Sequence, residues 1–222
     1  MFGRVSTQAL VCLHGLGRTP SDWDGVRRHL EQLGRVVTPA LPRDVRRAQQ
    51  VAADATPPGA ILIGHSLGAV IAMTLAAEPA RAIRGVVASS SFFPPALNGR
   101  SWPDALVDYA CHRLALVRDL RNSDRRTQAQ RSFKGIGFLV RTGAHRRGFL
   151  ATTESITAPL LVVHAEDDHY VPVDFAMAAV GRRPGWDMAV LADGGHYPHV
   201  KRATEWLAAV DPWLERLVGG ST

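Results

Sequence analysis

The chain has 222 residues, 46% of them hydrophobic and 21% charged, with a net charge of +6. That is enough for one domain with a substantial core. No apolar run reaches the ~18 residues a spanning helix needs, and Met1 to Thr7 lack the apolar stretch of a secretory signal, so a cytoplasmic protein without a membrane partner is expected.

Ala9–Leu13 is a continuous apolar run and reads as a strand buried on both faces. Cys12 lies inside it as a small core residue. The other cysteine, Cys111, is far away, so there is neither a disulfide framework nor a metal-type spacing. The turn His14-Gly15-Leu16-Gly17 follows the strand. Helix is expected over Ser21–Leu33, with Ser21 as N-cap and Asp22 and Asp24 in the first turn. A strand over Val36–Pro39 and a helix over Val45–Ala55 come next.

The five residues Gly64-His65-Ser66-Leu67-Gly68 carry the most information. An apolar run, Ala60–Ile63, precedes them and a small-residue helical pattern, Leu67–Ala77, follows. Strand, tight turn and helix with a serine at the apex read as a nucleophile elbow. The glycines suit that spacing, because backbone meets backbone where the strand reverses. His65 is expected to point away from the serine and pack.

After a strand at Gly85–Ser89 the rhythm breaks. From Ser91 to about Ala151 there is no convincing strand, only amphipathic pieces over Trp102–Asp119, Asp124–Lys134 and Ile136–Arg141. We read residues 91–151 as a helical lid inserted into a core formed by residues 1–90 and 152–222. Phe92 to Leu150 hold ten Arg and one Lys against four Asp and no Glu. With 24 Arg among the 26 basic residues, this excess reads first as composition. It also lacks the interleaved aromatics of a single-strand binder, so no nucleic-acid partner is expected.

Strands resume at Leu160–His164, followed by Glu166-Asp167-Asp168-His169-Tyr170-Val171-Pro172. A helix over Asp174–Val180, a strand over Met188–Leu191, the segment Gly194-Gly195-His196 and a helix over Val200–Leu217 complete the chain, with Gly219 to Thr222 frayed. Alternating strands and helices give a mostly parallel sheet flanked by helices. The serine, acidic and histidine segments all lie just past strand carboxyl ends, which share one rim in such a sheet. A serine needs a base, and the base an orienting carboxylate; both kinds of residue are present, in the order Ser, Asp, His. His164 and His169 flank the acidic loop without metal-site spacing, His199 is expected at the surface, and no metal or cofactor is expected.

Four segments together, His14–Gly17, Gly64–Gly68, Asp168–Pro172 and Gly194–His196, resemble the α/β-hydrolase superfamily over essentially the full length. The resemblance implies the α/β-hydrolase fold, with Ser66 as nucleophile, His196 as general base and acid, and Asp168 as orienter. Asp168 is preferred to Asp167 because the family's acid precedes x-x-Val-Pro; Glu166 and Asp167 are then solvated loop carboxylates. The backbone N–H groups of Leu16 and Leu67 would form the oxyanion hole, with His14 shaping the first loop. Ala165 stands where the family often has Gly, a change too small to displace the acid.

The reaction class so implied is acyl transfer to water, on a small-molecule ester or thioester. Phe92, Phe93, Trp102, Leu106, Tyr109, Phe133, Phe138 and Leu139 are candidates to roof an apolar pocket. The alternatives are a thioesterase served by an acidic acyl-carrier protein through the basic lid, a non-hydrolytic use of the same three residues in transfer or elimination, and an inactive binding protein.

Overall fold

The computed structural model describes residues 8–93 and 152–219. Most of the proposed lid, with Trp102, Leu106, Tyr109, Phe133, Phe138, Leu139 and Cys111, lies outside these residues. In chain order the elements are β1 (Ala9–Leu13), α1 (Asp24–Leu33), β2 (Arg35–Val37), α2 (Val45–Asp54), β3 (Ile61–His65), α3 (Leu67–Ala76), β4 (Gly85–Ser89), β5 (Leu160–Ala165), α4 (Val173–Val180), β6 (Trp186–Leu191), α5 (Pro198–Lys201) and α6 (Ala203–Gly219). The strands form one sheet in the order β2-β1-β3-β4-β5-β6. Every pairing in it is parallel, as the alternation of strand and helix patterns led us to expect.

Successive side chains of a strand face opposite sides of a sheet, and the core divides accordingly. Val11, Leu13, Leu62, Val86, Ala88, Leu160 and Val162 pack on one face with Ala48 and Ala52 of α2, the apolar side of α3, and Phe175 and Ala179 of α4. Leu10, Cys12, Ile61, Ile63, Val87, Leu161 and Val163 pack on the other with Val26 and Leu30 of α1 and Trp206, Val210, Trp213 and Leu214 of α6. Burial on both faces explains why these strands are apolar throughout. Helices on both faces leave the ends of the sheet as the place for chemistry. Cys12 is fully buried, and burial pushes its thiol up to about 12, so it is inert as a nucleophile.

Three local expectations are corrected. Ser21 does not cap the first helix: Pro20–Trp23 form a 3-10 turn, opened by the fixed φ of Pro20, and the α-helix begins at Asp24. Asp22 instead accepts two hydrogen bonds from Arg18, at 2.7 and 2.6 Å. The last helix is two helices, α5 and α6, broken at Arg202 (φ −133°, ψ 53°), whose guanidinium grips both oxygens of Asp193. The edge strand β6 starts at Trp186, two residues before the apolar run, because its ladder with β5 begins at Leu160 and Trp186. Among the described residues no helix is long and apolar enough to cross a membrane.

Candidate active site

Ser66 sits between β3 and α3 with φ 52° and ψ −115°, a conformation that L-residues adopt only under constraint. The constraint is close packing at the turn. A Cβ on Gly64 would lie 2.5 Å from the Ala69 nitrogen, and one on Gly68 would lie 2.6 Å from the Leu13 carbonyl carbon. Ser66 donates its N–H to the Ser89 carbonyl of β4 at 3.0 Å, and its own carbonyl accepts from Ala69 and Val70 at the start of α3. The side chain is thereby fixed at the carboxyl end of a central strand.

His196 arrives from the edge of the sheet, after β6. Two glycines with positive φ, Gly194 (127°) and Gly195 (59°), turn the chain back toward the rim. The Ser66 hydroxyl donates to His196 Nε2 at 3.1 Å. The opposite nitrogen, Nδ1, donates to Asp168 Oδ2 at 2.9 Å, with Oδ1 at 3.2 Å. Asp168 and His196 are both buried.

The Asp168 carboxylate is built to stay ionised. Oδ1 accepts from the backbone N–H groups of Tyr170 and Val171, at 2.8 and 3.0 Å. Burial pushes its pKa up. The charge of His196, together with hydrogen bonds from His164 and His196, outweighs that and holds it well below the usual carboxylate range.

Sequence reasoning missed what supports this site. His164, fully buried at the end of β5, donates Nε2–H to the Val171 carbonyl at 2.7 Å and lies 3.3 Å from Asp168 Oδ2. Asp167 is not merely solvated: its Oδ1 accepts from the Gly195 N–H at 2.7 Å, tying the acidic loop to the loop that carries His196. The signal was in the sequence, since a bare N–H beside two glycines needs an acceptor, but no spacing rule names the partner.

His14 donates Nδ1–H to the Gly15 carbonyl and accepts the Leu41 N–H at Nε2, both at 2.9 Å, bracing the Gly15–Gly17 turn. Neither the Leu16 nor the Leu67 amide makes a backbone hydrogen bond among the described residues. Leu16 is exposed and Leu67 is buried as the first residue of α3.

His65 packs, as expected, but its Nε2–H also donates to the His196 carbonyl at 2.6 Å. His199 is not at the surface. It is fully buried, with its ring centroid 4.4 Å from that of Trp23 and 4.6 Å from that of His65, because α5 folds it inward. Burial, then the charges of His196 and Arg18, push its pKa down to about 3. Phe93 is a core residue packed near Trp186 rather than part of a roof, while Phe92 is half-buried. Asp22, His65 and His199 could each offer one ligand atom within 4.8 Å of the others. Arg18 already neutralises Asp22 from its own side, so a cation there would face a guanidinium.

A model of the alpha/beta hydrolase family matches residues 10–210. No curated protein matches the sequence. Solved structures share the fold. A protein from Acinetobacter baumannii assigned as a lipase is 18% identical with a TM-score of 0.73, covering 97% of this chain and 86% of its own. The monoacylglycerol lipase of Paleococcus ferrophilus is 19% identical with a TM-score of 0.63, covering 94% of each chain. An esterase from Rhodococcus is 19% identical with a TM-score of 0.62, covering 95% of this chain and 91% of its own.

Proposed function

The chain belongs to the alpha/beta hydrolase family, and from that premise we propose that it is a serine hydrolase cleaving a carboxylic ester of a small molecule through an acyl-enzyme on Ser66. One observation carries the reading: the unbroken hydrogen-bond chain from Ser66 Oγ through both nitrogens of His196 to a buried, ionised Asp168.

In this reading His196 Nε2 takes the hydroxyl proton as Ser66 Oγ attacks the ester carbonyl, and the carbonyl electron pair moves onto oxygen. The amides of Leu16 and Leu67 are the proposed donors to that oxyanion, each worth roughly 3–4 kcal/mol in acyl transfer. Collapse breaks the bond to the leaving oxygen, which receives the proton from His196. A water, deprotonated by His196, then attacks the acyl carbonyl; the second collapse breaks the bond to Ser66 Oγ, which takes the proton back from His196, and releases the acid. Asp168 stays ionised, fixing the Nδ1–H tautomer and balancing the imidazolium.

The esterase and lipase neighbours support an ester substrate. The lid is proposed to supply the pocket, with Phe92, Trp102, Leu106, Tyr109 and Phe138 as its apolar candidates. The basic excess of residues 92–150 favours one second reading, a thioester presented by an acidic carrier protein.

Mass spectrometry of the intact protein after treatment with a fluorophosphonate tests the proposal. One adduct is expected on the wild type, none on Ser66→Ala and slow labelling on His196→Ala. A panel of aryl esters and acyl thioesters then separates the two substrate classes. A wild type that stays unlabelled while a serine hydrolase beside it reacts fully would overturn the reading.

A further inference from the structure

The base of this site stands on a loop that its own backbone does little to hold. Two positive-φ glycines precede His196, and the nearest backbone bond across the turn, from the Tyr197 N–H to the Gly194 carbonyl, is long at 3.4 Å. The side-chain bond to Asp168 orients the ring, and Asp167 Oδ1 holds the Gly195 N–H one residue earlier at 2.7 Å, but neither bonds the main chain of His196 itself. The His196 carbonyl, however, accepts at 2.6 Å from His65 Nε2–H, and His65 is the residue bonded to Ser66. The contact closes a ring: the backbone from His65 to Ser66, the side chain of His65 to the backbone of His196, and the side chain of His196 back to Ser66 Oγ at 3.1 Å.

Resting on the serine-hydrolase reading, we infer that His65 is a positioning residue that sets the distance between nucleophile and base by holding the main chain of His196. For this it must remain a neutral donor through the cycle, including while His196 is an imidazolium. Its surroundings enforce that. The ring is buried and faces the rings of His196, Tyr197 and His199 at 5.0, 5.2 and 4.6 Å. Burial first, then the charges of His199 and His196, hold its pKa well below the ordinary histidine value. The far nitrogen, Nδ1, has no hydrogen-bond partner among the described residues, and a Cβ on Gly15 would sit 2.9 Å from it. A proton on Nδ1 would therefore have no acceptor. His199, packed behind with its ring tilted by 45° at 4.6 Å, keeps the ring from swinging out of line.

The test is the rate of fluorophosphonate labelling, with kcat and KM on an aryl acetate per titrated serine, for wild type, His65→Ala, His65→Phe and His65→Gln. Counting only labelled sites removes the effect of misfolded protein, and Phe fills the space where Ala leaves a hole. Loss of the donor is expected to lower kcat and the labelling rate roughly 10- to 100-fold, the scale for about 1 Å of misplacement, with KM within about threefold. Gln, which keeps an N–H at similar reach, is expected to recover most of the rate. Ala and Phe variants that keep wild-type kcat per labelled serine, or a Gln variant no better than Phe, would overturn the inference. An unlabelled wild type would instead sink the serine-hydrolase reading beneath it, so the two failures are distinguishable.

Discussion

His164 reaches the same carboxylate oxygen of Asp168 that His196 does, Nε2 to Oδ2 at 3.3 Å against 2.9 Å from His196 Nδ1. One carboxylate is thus shared by two imidazoles, of which only His196 also touches the serine. The His164 N–H is directed mainly to the Val171 carbonyl, so it ties the acidic loop to the end of β5 and adds a second positive edge beside Asp168.

The two contacts should be unequal when removed. Asp168→Asn is expected to lower kcat by roughly 10³–10⁴, because an amide no longer fixes the tautomer of His196 or balances its charge. His164→Leu is expected to lower it only about three- to tenfold, through a looser acidic loop. Steady-state hydrolysis of an aryl ester by both variants checks the ranking. Equal losses would mean that His164 is as necessary to the chemistry as the carboxylate itself.

Acid should destabilise the fold before it protonates Asp168. In the unfolded chain His199 titrates near 6.5, whereas in the fold burial lowers it to about 3; His65 is lowered in the same sense. Between those limits the unfolded state binds protons that the native state refuses, so stability rises with pH. The contribution is complete above about pH 6.5 and is lost as pH falls toward 3, at a slope of up to about 1.4 kcal/mol per pH unit for each histidine. Asp168, whose pKa is lowered, adds a loss of the same sign only below its ordinary value of 3.8. Urea unfolding from pH 8 to pH 4 measures this. His199→Phe should flatten the curve while changing stability at pH 8 by no more than about 1 kcal/mol, since neither nitrogen of His199 has a partner to strand among the described residues.

Two glycine substitutions should go opposite ways. Gly68→Ala pushes a methyl against the Leu13 carbonyl carbon at 2.6 Å and the His14 carbonyl at 2.8 Å, so the elbow must shift. A loss of about 2–3 kcal/mol is expected, with the rate of Ser66 labelling falling alongside. Gly25 lies in α1, with only Ala203 Cβ near its would-be methyl, at 3.9 Å. Gly25→Ala is expected to add about 0.5–1 kcal/mol. Thermal melts of the pair read both signs in one experiment.

Asp167→Ala should loosen the base without touching it. The Gly195 N–H loses its acceptor at 2.7 Å, and the Gly194–Gly195 turn regains freedom. An approximately three- to tenfold fall in kcat with KM unchanged is expected. A change confined to KM would place Asp167 in substrate binding instead.

How far the sequence could be read depended on whether a residue's role was local. β1 and β4 were legible to the residue, because both faces of each are buried and the apolar run ends where the strand does. β6 was read two residues short, since the exposed Asp187 separates Trp186 from the apolar run that begins at Met188. The serine, acidic and histidine segments stood out because each follows a strand, and the resemblance to the α/β-hydrolase superfamily singled out Asp168 among Glu166, Asp167 and Asp168. The neighbours that hold them did not. His65 meets His196 across 131 positions and Asp167 meets Gly195 across 28; neither pairing leaves a periodicity. His199 was expected at the surface, but the short helix α5 turns it under Trp23.

The placement of the three residues on the sheet also divides their kinetic fates. Ser66 follows β3, which has a partner strand on each side, whereas His196 follows β6, which has one. Amide hydrogens of Ile61–His65 should therefore exchange only when the whole protein opens, while those around Gly195 should exchange through partial openings at the rim. On warming, the serine would still be poised on an intact strand after its base had begun to leave. Esterase activity would then decay at temperatures where circular dichroism still reports a folded protein, and would return in full on cooling.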